Sequence, residues 1–190
     1  MRIRGSNSVY SDTERRILIA SANLLKEKHS INIKIREVSK AAGIACSSFY
    51  LHYRSINDLI DVQSKRVLDD VRELVDKLLT EKSSTEKKLL KLLIFLYKRR
   101  ELLTLIDTTG NINLLAKIMK EIRPISEKGW LKYSNSITVG LKNILVAEYI
   151  AELRLWSKEN YSVNYLEVHA HRLAYFTINT PRFFAAVYKD

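Results

Sequence analysis

One cysteine, two prolines and five glycines are all that 190 residues contain of those types, and each scarcity excludes something. With Cys46 alone, no disulfide can form within the chain, which fits a reducing compartment. So few glycines and prolines leave little turn chemistry for a protein built of many short strands. No apolar run approaches the 18 or more residues that a membrane-spanning helix needs. The longest, LLIFLY at 92–97, is flanked by lysines and arginines. An N-terminal apolar stretch of the signal-peptide kind is absent as well, so the expected location is the cytoplasm. There is no Cys-x-x-Cys, no His-Glu-x-x-His and no glycine-rich phosphate loop. His169 and His171, two apart, point to different faces of a helix. Asp69, Asp70, Glu73 and Asp76 read as a solvated helix face rather than paired catalytic carboxylates. No metal, no cofactor and no enzymatic activity are expected.

Positive charge, by contrast, is plentiful. Thirty-two lysines and arginines oppose 21 acidic residues, a net charge of +11, and the isoelectric point is about 9.7. Residues 1–60 carry 10 basic and 5 acidic side chains, so this third is about twice as positive per residue as the remainder. Such an excess suits a polyanionic partner, nucleic acid first and an anionic membrane surface second.

Apolar residues recur at three- and four-residue spacing almost throughout, which predicts an all-α protein of about nine helices. Residues 1–10, with Arg2 and Arg4, form a basic arm. Ser11-x-x-Glu14 is a capping box that opens a helix reaching about Lys28, with Ile17, Ala20, Leu24 and Leu25 on one face. Two short helices follow at about 35–42 and 46–53, then a long one at about 56–79. A polar stretch at 81–85 precedes the later helices. The last helix is expected at about 163–178, with Ser162 as its N-cap and Pro181 as its end. The expected organisation is an arm (1–10), a three-helix domain (11–60) and a larger helical domain (61–190).

The string IREVSKAAGIACSSFYLHY carries the chemistry. Ile35 and Val38 share a face of the first short helix. Ala41 and Ala42 permit close packing, and Gly43 falls where a sharp turn needs a positive φ. Phe49 and Tyr53, four apart, anchor the inner face of the second helix. Its outer face then carries Cys46, Ser47, Ser48, Tyr50, Leu51 and His52. Small hydroxyl side chains let a helix enter a major groove closely and bond to base edges or phosphates. Tyr50 and His52 can bond backbone phosphates. Lys34, Arg36 and Lys40 before the helix, with Arg54 after it, supply charge for the DNA backbone. Cys46, at a helix start, also has the placement of a redox-sensitive thiol, although a small contact residue is the commoner role.

In this order of residues, 11–60 resembles the DNA-binding domain of the TetR/AcrR family of bacterial regulators. VSKAAGI at 38–44 matches the helix ending in Ala-Gly-hydrophobic. SSFYLHY at 47–53 matches the recognition helix, with Tyr50 as its central tyrosine, and Arg54-Ser55-x-x-Asp58-Leu59 matches the entry to the fourth helix. Three positions depart. Ala45 stands where a serine cap is frequent, so the cap weakens or moves to Ser47. Ile33 stands where threonine is common, which leaves Asn32 as a cap. Ile56 stands where a lysine often meets phosphate. The resemblance implies a homodimer on double-stranded DNA, reading a palindromic operator with half-sites about 34–36 Å apart. It also implies repression released by a small, unidentified effector, with no membrane partner.

The second domain offers two apolar stripes for dimerisation: Gly140, Ile144, Ala147 and Ala151, then Leu166, Ala170, Leu173, Ala174 and Thr177. Either stripe could instead face its own core. Candidate effector contacts are Leu102, Leu105, Ile106, Leu115, Trp130, Tyr133, Tyr149 and Trp156, on the reasoning that pockets are mostly apolar. A same-fold activator or architectural, division-linked protein with no inducer is the alternative function, and a membrane-surface binder the third.

Overall fold

The computed structural model describes residues 11–28, 32–108, 112–127 and 135–187. Among the described residues there are helices and no strand. They are α1 (Asp12–Lys28), α2 (Ile35–Ala42), α3 (Cys46–Tyr50), α4 (Ile56–Thr80), α5 (Thr85–Tyr97), α6 (Arg100–Thr108), α7 (Ile112–Ile122), α8 (Pro124–Glu127), α9 (Asn135–Lys158) and α10 (Leu166–Val187), with a 3-10 turn at Val163–Tyr165. The fold class is all-α, as the periodicity predicts. The arm at 1–10 lies outside the described residues.

The chain forms two compact units. The first comprises Met1–Ser64 with Glu101–Gly110, the second Lys65–Arg100 with Asn111–Asp190. In the first, α1 packs on α2 and α2 on α3. Ile17 and Leu25 of α1, Val38 of α2, Phe49 of α3 and Leu59 of α4 are fully enclosed, as are Leu102 and Leu105 of α6. Each such side chain contributes about 1.5–3 kcal/mol through burial. In the second, α10 packs along α5 and α9, around Leu89, Leu92, Leu96, Tyr149 and Trp156.

Helix starts follow local chemistry. Ser11 Oγ accepts the Glu14 N–H at 3.2 Å while Glu14 Oε2 accepts the Ser11 N–H at 3.0 Å, the reciprocal box the sequence announces. Ser84 Oγ accepts from the Lys87 N–H at 3.3 Å and opens α5. Ser162 Oγ accepts from Asn164 at 3.3 Å and caps the 3-10 turn that leads into α10.

Three expectations require correction. The second short helix stops at Tyr50 instead of continuing to Tyr53: the His52 and Tyr53 N–H groups both turn back to the Phe49 carbonyl, at 3.0 and 2.9 Å. Tyr53 is buried in the core all the same. Pro181 does not end the last helix, which continues to Val187; one missing backbone donor is tolerated there. The stripe Leu166, Ala170, Leu173, Ala174 and Thr177 is buried inside its own unit, since α5 and α9 cover that side of α10.

The α9–α10 connection is strained and well supported. Asn160 and Tyr161 take φ of 52° and 53° without being glycine. Trp156 holds them: its Nε1–H donates to the Ser162 carbonyl at 2.9 Å, and Tyr161 meets its ring edge-on at 5.3 Å. Beside it, His169 is enclosed. Its Nδ1 lies 2.5 Å from Glu152 Oε1 and its Nε2 3.1 Å from Glu159 Oε2. Arg172 donates to the same Glu152 oxygen at 3.3 Å.

Candidate nucleic-acid interface

The turn between α2 and α3 is fixed by geometry that only one residue type adopts freely. Gly43 has φ 63° and ψ 41°. Its N–H donates to the Lys40 carbonyl at 3.1 Å and that of Ile44 to the Ser39 carbonyl at 2.9 Å, closing the end of α2. From α1, Arg16 Nη2 donates to the Gly43 carbonyl at 2.8 Å. A Cβ on residue 43 would lie 2.7 Å from that nitrogen.

Beyond the turn, α3 has five residues and no side-chain cap at Ala45, as the departure from serine anticipates. Its position comes from its inner face. Phe49 is fully buried, with the rings of Tyr50 and Tyr53 each at 5.9 Å. The Tyr53 hydroxyl donates to Glu14 Oε1 at 3.3 Å and accepts from Gln63 Nε2, which joins α1 and α4 to the foot of α3. Asp58 accepts the Arg54 N–H at 2.7 Å, and Ser55 Oγ accepts the Asp58 N–H at 3.0 Å, so the backbone leaving the site is also set. Arg16, Glu14 and Gln63 therefore position α3, and sequence reasoning missed all three. Only the i, i+3 pairing of Ser11 with Glu14 hinted that this end of α1 had work beyond packing.

With its back anchored, α3 turns the remaining side chains outward. Cys46, Ser47 and His52 are exposed, Tyr50 is 58% exposed and Leu51 84%, while Ser48 is half-buried. Lys34, Arg36, Lys40 and Arg54 are exposed, and among the described residues none has a carboxylate partner.

Residues 32–54 hold one acidic side chain, Glu37, and it is committed elsewhere. Its Oε1 meets Lys28 Nζ at 2.7 Å and its Oε2 accepts the Lys34 N–H at 3.0 Å. This bond at the start of α2 takes the place of the Asn32 cap: Lys34 occupies the N-cap position, and Glu37 reaches back to it. The Lys28 hydrogen bond, then the Lys34 backbone N–H, hold the Glu37 carboxyl below the ordinary range. A lowered carboxyl stabilises the fold above its ordinary range, and that contribution is lost as pH falls through the lowered value. Lys28→Ala should therefore return Glu37 titration, followed by carboxyl carbon NMR, toward the ordinary value. An unmoved titration would show that the ion pair does not form.

The effector candidates are distributed over both units. Leu102, Leu105 and Ile106 are buried in the first unit. Tyr149 and Trp156 are buried in the second, Leu115 lies on α7, and Trp130 and Tyr133 fall outside the described residues. Tyr149 does line a small cavity of about 20 Å3 in the second unit. The other walls are Leu89, Leu92, Leu93 and Leu96 of α5, Met119 and Ile122 of α7, Leu153 of α9 and Leu173 of α10. The Tyr149 hydroxyl is spent on Thr177 Oγ1 at 3.2 Å, so the wall is nearly all hydrocarbon.

No helix among the described residues is long and apolar enough to cross a membrane. No protein-family model matches the chain, and no curated protein matches it in sequence. Solved structures do match. The transcriptional regulator FadR of Bacillus subtilis, in complex with stearoyl-CoA, superposes with a TM-score of 0.57 at 15% identity, over 86% of this chain and 97% of that one. The dihydroxyacetone kinase operon activator DhaS gives 0.56 at 16% identity, over 90% and 97%. A TetR/AcrR-family regulator of Aquifex aeolicus gives 0.57 at 23% identity, over 85% and 95%. Across most of its length, the chain has the fold of the TetR/AcrR transcriptional regulators.

Proposed function

We propose that the protein is a sequence-specific DNA-binding regulator that works as a homodimer and represses until a small apolar effector binds. The observation that carries this reading is the presentation of α3. Its back is locked by Phe49, its front offers Ser47, Tyr50, Leu51 and His52, and unpaired cations surround it in the sequence. Cations confer affinity for phosphate, and the helix face reads bases.

The dimer reading rests on apolar side chains that the second unit leaves in water. On α9 these are Ala147, Ala151 and Leu155, spaced four apart. On α10 they are Val168, Tyr175 and Ile178, on the side opposite the buried stripe. A second copy of the same surface satisfies both helices through one two-fold axis. For the effector, the hydrocarbon-walled cavity favours an apolar group, and the structurally similar FadR is a regulator that holds stearoyl-CoA.

In vitro site selection tests the core of the proposal. It should yield an inverted repeat with half-sites about one helical turn apart, and a selection with no inverted repeat would overturn the reading. On the selected site, Tyr50→Ala and Ser48→Ala should each weaken binding by about 1–3 kcal/mol while leaving the dimer intact. Lys34→Ala should instead weaken every sequence alike and reduce the salt slope by about one. Loss at a single base position in Lys34→Ala would show that Lys34 reads sequence.

A further inference from the structure

We infer that Leu51 recognises a thymine methyl, so that each half-site carries an A·T pair at the position Leu51 meets. The inference rests on α3 being the groove-reading element. Leu51 is 84% exposed, the largest exposure of any large apolar side chain among the described residues. It is not loose: its N–H donates to the Ser47 carbonyl at 3.1 Å, and its φ of −67° and ψ of −24° continue the course of α3. A leucine so placed can neither donate nor accept a hydrogen bond. Of the groups that the four base pairs present in the major groove, the C5-methyl of thymine is the apolar one; the others are donors and acceptors.

The setting favours DNA over a protein partner. Residues 32–54 contain Lys34, Arg36, Lys40 and Arg54 against Glu37, which Lys28 neutralises. Leu51's neighbours on the outer face, Ser47, Tyr50 and His52, each carry a polar group, so it is the one aliphatic point on a cationic surface and not part of a broad apolar patch. One methyl removed from water against it gives about a fourfold gain in affinity per half-site, or about sixteenfold for a symmetric operator.

The test exchanges thymine for uracil, which removes that methyl and nothing else. Each symmetry-related thymine pair in the selected site is replaced in turn. The full-length protein and its Leu51→Ala variant are titrated at one fixed salt concentration. One pair should weaken the wild type by about sixteenfold and leave Leu51→Ala indifferent, with equal salt slopes for the two proteins. Leu51→Met, which keeps an apolar tip, should retain the sensitivity. If every exchange affected both proteins alike, or if the half-site held no A·T pair, the inference would be overturned while α3 kept its role as groove reader. Failure to select any sequence would instead remove the reading of α3 itself.

Discussion

Phe49→Ala will remove about 3–5 kcal/mol from the stability of the first unit and, on the proposed role of α3, abolish DNA binding with it. Domains are stable by about 5–15 kcal/mol, so this loss is a large share of the total. The expectation follows from how little else holds α3. Five residues are far too few for a helix to persist in water on its own hydrogen bonds, and the Ala45 cap makes no side-chain bond. Phe49 is enclosed between the Tyr50 and Tyr53 rings and the inner faces of its neighbours. Truncating it opens a cavity directly beneath α3, whose other ties, at Gly43 and Tyr53, lie outside the helix itself. Urea unfolding followed by far-ultraviolet circular dichroism should show the loss. Tyr50→Ala, one residue further on, should melt like the wild type and yet bind poorly. A Phe49→Ala protein with an unchanged melt would mean that α3 is held by something other than its inner face.

The second large effect is expected at Glu152. Glu152 is 4% exposed and His169 1%, so neither can turn to water for a substitute partner. Glu152→Ala leaves His169 Nδ1 without its acceptor and Arg172 without its carboxylate. Breaking a buried pair in this way costs about 3–5 kcal/mol. The Trp156 ring lies 5.9 Å from His169, so tryptophan emission reports on this unit during a thermal melt. Joining Glu152→Leu with His169→Leu should recover much of the loss, because two apolar side chains replace the buried pair and the groups left over, Glu159 and Arg172, reach water. Equal melting of Glu152→Ala and the wild type would overturn the account. So would a double variant worse than the single one.

How far the structure could be read from the sequence depended on how local each cause was. Ser11-x-x-Glu14 and Gly43 were legible because a capping box and a left-handed turn are set within a few residues. The separation of His169 from His171 was legible from helical period alone: the first is buried and the second exposed. The buried stripe on α10 was not. A run such as Leu166, Ala170, Leu173 marks a packed face, but nothing in it tells a partner copy from the protein's own α5 and α9. The Glu37 cap was obscured because it also depends on Lys28, nine residues earlier. Arg16 and Gly43 are 27 residues apart, Tyr53 and Glu14 39, and pairings at such distances leave no periodic trace. Asp70 illustrates the same limit. Among the acidic residues of α4 it alone is bound to a buried arginine, Arg99, at 2.6 Å, while Asp69, Glu73 and Asp76 stay in water.

The clamp from Arg16 to the Gly43 carbonyl, together with Tyr53 reaching Glu14, has a consequence for anyone wishing to miniaturise this protein. The α2–α3 pair is not portable. A synthetic peptide covering α2 and α3 would lack the guanidinium that fixes the turn and the carboxylate that seats Tyr53, and so would be largely a coil in water. A transplantable cassette must include at least the span from the cap of α1 to Gln63 of α4, together with α6, whose Leu102 and Leu105 are enclosed in the same unit.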